Sequence, residues 1–296
     1  MKRVFIIGGT TFDHIVHLPA FPQPQPQTIH QAEFHEGTGS TGAGKALNLH
    51  RLQVPVQLYS VLGGDSYGNA IRQSLQMAGV DAFYDTDPRG TERHVNLMDP
   101  AGNRISIFIT QSSEQISYRL ADIQQAIANS DILVLNIISY CRGLVPLVTA
   151  AGKPVWTDLH DYDGNNTYHE DFIEAAQYIH LSSDNLQDYR SVMQRFIKQG
   201  KKLVVCTHGR QGATALMPDG TWLEQAALTN YPYVDGNGAG DAFFSGFLFG
   251  WLQELPVQQC MQYGTVTAAL CVGSEQLAHP ELSPQRLQAE FEKRVL

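Results

Sequence analysis

Short apolar runs alternate along the chain with longer segments in which apolar residues recur at helical spacing. The apolar runs fall at residues 3–9, 56–62, 132–135, 155–157 and 178–181. The helical patterns fall at residues 43–52, 67–77, 120–129, 258–272 and 284–294. Strands that are apolar throughout are typical of a parallel sheet with both faces covered, so the pattern predicts an α/β fold around such a sheet.

Two segments do not follow this alternation and predict a separate, small β structure. Residues 22–27 alternate proline with glutamine, which makes a stiff, extended linker. Residues 28–36 then alternate loosely between polar and apolar, as an exposed strand does. Residues 93–98 and 104–109 flank the turn-forming sequence Asp-Pro-Ala-Gly-Asn and predict a hairpin.

Composition narrows the class of protein and its partners. A chain of 296 residues, 43% hydrophobic and 17% charged, suits one large α/β domain or one domain with a small appendage. The net charge of -9 argues against nucleic acid and anionic membrane as partners.

The first apolar run is too short for a signal peptide, and no run approaches membrane-spanning length, so we expect a cytoplasmic protein. Four cysteines without metal or redox spacing are expected to be buried thiols: Cys141, Cys206, Cys260 and Cys271.

The most informative stretch is a helix start in which three small residues precede an acid. Gly238, Ala239 and Gly240 come directly before Asp241, and an apolar run through residue 252 follows. The first N–H groups of a helix have no intrahelical partner and carry partial positive charge, so an anion can bind there. The sequence therefore predicts a phosphate-binding turn with a carboxylate beside it, although such turns are structural more often than catalytic when taken alone.

The longer string, Asp-x-x-Gly-Ala-Gly-Asp-Ala-Phe, resembles the C-terminal signature of the ribokinase-like (PfkB) sugar and nucleoside kinases. The resemblance implies that Asp241 is the general base for the acceptor hydroxyl. It implies that the amides of Gly238, Ala239 and Gly240 form the anion hole, and that Asp235 helps to bind a monovalent cation such as K⁺. Two positions depart from the family, which usually has threonine there: Gly236 and Asn237.

A second glycine-rich stretch, residues 37–46, contains two misleading motifs. It spells both the dinucleotide-binding G-x-G-x-x-G and the P-loop G-x-x-x-x-G-K, but no apolar strand precedes it and Ala46 stands where the P-loop hydroxyl should be. The stretch is similar to the N-terminal glycine-rich turn of the same kinase family, which opens a helix under the substrate. That likeness implies substrate contacts for Gly39, Gly42 and Lys45. The family usually has Gly and Asn at the positions of Ser40 and Gly44.

Lys45 has two interpretations at this point. It either replaces the polar contact that the family obtains from the missing Asn, or it is a solvated helix residue.

Asp13 follows the first apolar run by four residues, in the expected loop at the carboxyl end of that strand. Ligands bind at that edge of open α/β sheets, while a turn-forming Asp is an equally good interpretation. The resemblance implies that Asp13 holds sugar hydroxyls. It also implies that residues 25–36 and 91–111 form a small β-sheet lid over the substrate, which in some members is a dimer surface.

The sequence motifs expected to bind the nucleotide and its magnesium match the family less closely than the motif at Asp241 does. Residues 203–213 read as strand, turn and strand, and they resemble the Thr-x-Gly-x-x-Gly loop that lies along the nucleotide. That likeness implies ATP contacts for Thr207, Gly209 and Gly212. The family's magnesium-binding Asn-x-x-Glu is missing after residues 178–181, and Asp184 is the nearest carboxylate; helix capping by Ser183 or Asp184 is the alternative. The small residues in 264–273 suit either an adenine pocket or close helix packing.

Together these features imply one ribokinase-like domain over residues 1–296, a three-layer α/β/α sandwich with a mostly parallel central sheet and a small β lid. The implied activity is phosphorylation of a hydroxyl of a sugar or sugar-like molecule by ATP and Mg²⁺. Two alternatives stay open: a nucleoside kinase of the adenosine type, and a sugar-binding sensor with degraded activity. The retained Asp241 favours an enzyme, because a protein that only binds gains nothing from a base at an anion hole.

Overall fold

The computed structural model describes residues 2–295 and contains two β-sheets with helices packed around the larger one. In chain order the strands within that range are β1 Val4–Ile7, β2 Thr11–His17, β3 Glu33–Gly39, β4 Val56–Leu62, β5 Asp81–Thr86, β6 Arg93–Met98, β7 Arg104–Thr110, β8 Ile132–Asn136, β9 Val155–Asp158, β10 Tyr178–Ser182, β11 Leu203–Thr207, β12 Ala213–Leu216 and β13 Trp222–Gln225. The α-helices are α1 Thr41–Arg51, α2 Ser66–Met77, α3 Leu120–Ala128, α4 Val145–Ala150, α5 Glu170–Ala175, α6 Tyr189–Lys198, α7 Ala239–Leu252, α8 Val257–Cys271 and α9 Pro284–Val295.

The central sheet is mostly parallel, as the apolar runs predict. Its strands follow the order β13-β12-β11-β10-β9-β8-β1-β4-β5. Among the described residues, 2–295, only the pairs β11–β12 and β12–β13 of this sheet are antiparallel. Side chains alternate between its faces: Val4 and Ile6 enter one core with α1, α2, α7, α8 and α9, whereas Phe5 and Ile7 enter a second core with α3–α6. The predicted three-layer α/β/α sandwich is therefore confirmed.

Glycines face the contact between α7 and α8 and allow the two helices to pack closely. A Cβ added to Gly246 would lie 2.6 Å from the carbonyl oxygen of Tyr263, and one added to Gly264 would lie 2.8 Å from that of Phe243. Such distances leave no room for a side chain. Gly264 therefore serves close helix packing, which was one of the two interpretations of the small residues in 264–273; the other was an adenine pocket.

The small sheet has the strand order β3-β2-β6-β7. The predicted hairpin is confirmed as β6 and β7. The sequence did not predict β2, however, and the expectation that Asp13 lies in a loop is wrong, because Asp13 is in this strand opposite Gly37 of β3. Polar residues lie on both faces of β2, and two of them, Thr11 and Asp13, are buried, so no alternation of polar and apolar residues marks the strand. The expected strand at 28–36 instead begins at Glu33 and runs to Gly39, so the first glycines of the second stretch are strand residues and not a turn.

Several local predictions hold in the structure. Helix α7 begins at Ala239, after Gly238 at a φ of 79°, a left-handed conformation that favours glycine. All four cysteines are buried and unpaired. Within residues 2–295, no helix combines the length and apolarity that crossing a bilayer requires.

Candidate active site

The candidate site lies at the carboxyl edge of the central sheet, where neighbouring parallel strands place their ends together. Asn136 ends β8 and Asp158 ends β9. The Asn136 amide donates a hydrogen bond to the hydroxyl of Thr41, the first residue of α1, at 3.0 Å. A Cβ on Gly8, directly after β1, would lie 2.3 Å from Asn136 Oδ1. The sheet edge and the start of α1 are therefore in direct contact.

Lys45 is the centre of a buried polar cluster that joins α1, α7 and β9. Its side chain is 0% exposed, and its Nζ donates to Asp241 Oδ1 at 2.5 Å and to Asp158 Oδ2 at 2.9 Å. The ammonium also donates to the Thr41 hydroxyl, which in turn donates to Asp241 Oδ1 at 2.6 Å. The interpretation of Lys45 as a solvated helix residue is wrong, and the polar-contact interpretation is favoured.

The opposite charges in this cluster stabilise one another and shift the pKa values of its members. Burial alone lowers the pKa of Lys45, but the carboxylates of Asp158 and Asp241 outweigh it and the net pKa is raised. Burial alone raises the pKa of Asp158, but His160 and Lys45 outweigh it and the net pKa is lowered. The Lys45 ammonium and the Asp158 carboxylate therefore stay charged at neutral pH.

Gly44 leaves the room that Asp241 occupies. A Cβ on Gly44 would lie 2.7 Å from Asp241 Oδ2. The glycine found where the family usually has Asn is thus required by the position of the carboxylate, and Lys45 supplies a polar partner from the next position along α1.

The turn before α7 exposes backbone donors. The Ala239 N–H donates to the Gly236 carbonyl at 3.3 Å, a bond that an anion at that amide has to replace or share. The amides of Gly238 and Gly240 have no hydrogen-bond acceptor among residues 2–295. No atom lies within 4 Å of a Cβ placed on Gly240, so space is open beside that residue. This geometry suits a phosphate group.

Asp13 and Gly39, two residues predicted on the substrate side, are in contact. A Cβ on Gly39 would lie 2.1 Å from Asp13 Oδ2. Asp13 is 4% exposed, and its carboxylate accepts hydrogen bonds from Thr11 at 2.6 Å and Asn96 at 3.1 Å. Burial raises the pKa of Asp13, and the hydrogen bond from Thr11 and the nearby His94 only partly offset that effect.

Gly42 has a different environment from the other residues of this stretch. A Cβ there would lie 2.5 Å from the Gly9 carbonyl oxygen. Gly42 therefore allows α1 to approach the end of β1, and its predicted substrate contact stays a prediction.

The predicted nucleotide loop joins β11 to β12. Thr207 ends β11 and Gly209 opens a 3₁₀ turn with open space around it, whereas a Cβ on Gly212 would lie 2.0 Å from the Gln225 carbonyl oxygen. His208 contacts Ser183 and Thr214, each at 2.9 Å, and so fixes the loop. The ATP contacts of Thr207, Gly209 and Gly212 stay predictions.

The two carboxylates predicted to bind metals lie in different surroundings. Asp184 is exposed, and its carboxylate accepts no hydrogen bond from residues 2–295. The helix-capping alternative for Ser183 and Asp184 is wrong, because Asp188 caps α6 by accepting from the Ser191 N–H. Asp235 is 1% exposed and accepts from the Asn237 N–H at 2.7 Å.

Sequence reasoning gave no role to three residues of the buried cluster: Thr41, Asn136 and Asp158. Asn136 and Asp158 follow apolar runs directly, and a polar residue at the end of a parallel strand is a usable signal for a site at that edge. Thr41 carries no such signal.

Comparison with known proteins gives consistent likenesses. A model described as pfkB family carbohydrate kinase matches residues 1–151 and 165–284. The acarbose 7(IV)-phosphotransferase of Actinoplanes sp. is 33% identical over 270 residues, 90% of each chain. The nucleoside kinase of Methanothermobacter thermautotrophicus is 24% identical over 93% of this chain and 90% of its own. The structure of a microbiome-derived acarbose kinase superposes with a TM-score of 0.85 at 27% identity, covering 98% of this chain and 99% of its own.

Proposed function

The chain belongs to the pfkB family of carbohydrate kinases, and we propose that it transfers the γ-phosphoryl group of ATP to a sugar hydroxyl with Asp241 as the general base. One observation carries the catalytic part of this proposal. The Asp241 carboxylate lies in the first turn of α7, beside the unpaired amides of Gly238 and Gly240 and held by Lys45. A base beside an anion-binding turn is the arrangement that phosphoryl transfer to a hydroxyl needs.

The residues of the chain divide the work of the reaction. Asp241 accepts the proton of the attacking hydroxyl, and Lys45 holds that carboxylate in place. The amides of Gly238, Ala239 and Gly240 stabilise the negative charge on the transferred group. ATP is the phosphoryl donor, and Mg²⁺ bound to it would neutralise charge on the phosphate oxygens. The exposed Asp184 carboxylate fits Mg²⁺, which prefers oxygen ligands and retains water.

We propose that Asp13 binds the acceptor. Its carboxylate is held between Thr11 and Asn96 and lies against Gly39, so its position is fixed before the sugar arrives. Pre-positioned charged acceptors form strong hydrogen bonds with hydroxyl groups.

Acarbose or a related oligosaccharide is the first acceptor that we propose. Two proteins named for acarbose phosphorylation are similar to the chain over at least 90% of its length, at 33% and 27% identity. The nucleoside kinase at 24% identity keeps a nucleoside acceptor as the second candidate.

A panel of acceptors tests these proposals together. ADP formation from ATP and Mg²⁺ is measured with acarbose, simple sugars and adenosine, and the phosphorylated product is identified by mass spectrometry. We expect ADP formation to rise with acarbose or another saccharide. A rise with adenosine alone identifies a nucleoside kinase. Saccharide binding without phosphate transfer to any acceptor identifies a sensor and contradicts the proposal.

We propose that the small sheet is a lid over the substrate. The predicted lid segments, residues 25–36 and 91–111, supply part of β3 and all of β6 and β7, and β2 completes the sheet. Two contacts connect it to the nucleotide side: Arg104 donates to Asn237 Oδ1 at 3.1 Å, and Arg210 donates to the Ala101 carbonyl at 3.3 Å. A closed lid excludes water, which competes as phosphoryl acceptor. Amide hydrogen exchange in β6 and β7 should slow when the acceptor binds, and unchanged exchange would contradict a lid role.

The lid also offers a surface for a homodimer. The edge strand β7 exposes Ile105, Ile107, Phe108 and Ile109, and exposed apolar edges are templates for pairing. We expect light scattering to give twice the mass of the chain, and Ile107→Lys to give monomers. A monomeric wild type would contradict this assembly.

A further inference from the structure

A second cluster of side chains, two histidines and an aspartate, lies between the small sheet and the segment that precedes α7. His17 lies on β2, His35 lies on β3, and Asp235 comes shortly before the anion-binding turn. In the antiparallel pairing of the two strands, Ile15 is opposite His35. The two histidines are therefore diagonal neighbours on one face of the sheet, and their rings stack with centroids 5.4 Å apart.

Two buried polar atoms in this cluster have no hydrogen-bond partner within residues 2–295. The first is Oδ2 of Asp235, a residue whose Oδ1 is satisfied by the Asn237 N–H. The second is Nε2 of His35. Nε2 of His17 and Nε2 of His35 each lie 3.9 Å from Asp235 Oδ2. Buried polar atoms without partners are costly, so the arrangement calls for a ligand that all three side chains share.

We propose that His17, His35 and Asp235 form a binding site for a divalent transition-metal ion of the zinc class. The three ligand atoms lie within 4.8 Å of one another. Zinc holds nitrogen and oxygen ligands at about 2.0–2.2 Å, which places tetrahedral ligands about 3.4 Å apart. Small side-chain shifts are enough to close the site around an ion.

The donor set selects the class of metal. Two imidazoles and one carboxylate suit Zn²⁺, Co²⁺ and Ni²⁺, whereas hard cations such as Mg²⁺ prefer oxygen ligands. Three protein ligands leave the fourth tetrahedral position to water. The site is thus different in chemistry from the monovalent cation site that the family resemblance assigns to Asp235.

Metal binding would couple the two parts of the molecule that carry these ligands. His17 and His35 belong to the small sheet, and Asp235 belongs to the segment that leads into α7. An ion held by all three fixes the sheet against that segment, next to the contact from Arg104 to Asn237. This effect rests on the proposed lid: if the small sheet opens and closes over the substrate, the ion should slow turnover by retarding the opening.

The binding claim is tested on untagged, full-length protein without nucleotide. Co²⁺ is added while its visible absorption is followed, and Zn²⁺ binding is measured by calorimetry. We expect one tightly bound ion per chain. His17→Gln and His35→Gln should each weaken binding by more than the roughly 10–100-fold that outer contacts contribute to metal affinity. His30→Gln is the matched control, because His30 is an exposed histidine outside the cluster, and it should bind as wild type does.

Thermal unfolding gives a second readout that does not depend on spectroscopy. Zn²⁺ should raise the Tm of wild type and of His30→Gln, but not that of His17→Gln or His35→Gln. The proposal is overturned if wild type binds no better than the two variants, or if His30→Gln loses the binding. Neither measurement involves phosphate transfer, so failure here leaves the proposed kinase reaction untouched.

Discussion

Replacing Lys45 with methionine tests the buried cluster most sharply, because it removes the ammonium and keeps a side chain of similar length. The bond from Lys45 to Asp241 is charge-assisted, and such bonds contribute about 1.5–3 kcal/mol. If this energy is realised in the transition state, kcat falls about 10- to 150-fold, since ~1.4 kcal/mol is a factor of ten. The variant also removes the ammonium that Asp158 and Asp241 share, so we expect the free energy of unfolding to fall by about 3–5 kcal/mol.

Asp158→Asn is the matched control for this experiment. It removes the second carboxylate and leaves the bond between Lys45 and Asp241 in place, so stability should fall while kcat stays near the wild-type value. The double variant Lys45→Met/Asp158→Asn should regain part of the stability but none of the rate. Initial rates of ADP formation and urea unfolding measure both quantities. An unchanged kcat in Lys45→Met, or an equal fall in Asp158→Asn, refutes the role of Lys45.

The pH dependence of stability provides a further check on the same cluster. A lowered carboxyl pKa stabilises the fold above the unfolded value of about 4, and the effect disappears as pH falls through the folded pKa. A raised lysine pKa stabilises the fold below about 10.4, and the effect disappears as pH rises through the folded pKa. Without the ammonium, burial acts to raise the pKa of Asp158, so protonation relieves the variant as pH falls. The stability difference between wild type and Lys45→Met should therefore narrow in acid.

Three further predictions concern single residues. Asp13→Ala should raise the sugar KM at least tenfold, a loss of about 1.4 kcal/mol, and leave the ATP KM unchanged. Because burial raises the pKa of Asp13, the wild-type sugar KM should rise in acid at a higher pH than an ordinary Asp titrates, and Asp13→Ala should lack that limb. Ser40 lies at φ 72° and ψ 158°, a region that costs a non-glycine residue about 1–3 kcal/mol, so Ser40→Gly should raise the Tm and Ser40→Ala should not. Gly44→Ala should displace Asp241 and lower kcat at least about tenfold. Gly37→Ala, with nothing within 4 Å of the added carbon, should keep the rate.

The parts of the fold that the sequence predicts are those set by local pattern. The apolar runs of the central strands and the small residues before α7 are visible in a single short window. The strand β2 was missed for the opposite reason. Its polar and apolar residues do not alternate, and it pairs in parallel with β6, far along the chain, so neither its composition nor this pairing marks it in the sequence.

In the candidate site, too, local sequence patterns predict some features, whereas others depend on contacts between distant parts of the chain. The sequence proposes Asp241 as a candidate from its own motif, because the glycines and the helix start lie beside it. The environment of Lys45 could not be predicted in this way, because its partners Asp158 and Asp241 are 113 and 196 residues away in the sequence. They approach Lys45 only when the sheet edge, α1 and α7 are assembled. A local pattern assigns a lysine to a helix, and only the tertiary fold decides whether it is solvated or buried.

The most direct test of the whole account is the kinetics of Asp241→Asn. The variant keeps the size of the side chain and removes its ability to accept the proton of the sugar hydroxyl. With the acceptor that the panel identifies, kcat should fall by roughly 10²–10⁴-fold, the contribution of a positioned general base. Calorimetry should show that ATP and the sugar still bind with nearly wild-type affinity. A folded Asp241→Asn protein that phosphorylates the sugar at the wild-type rate would contradict the assignment of Asp241 as the base.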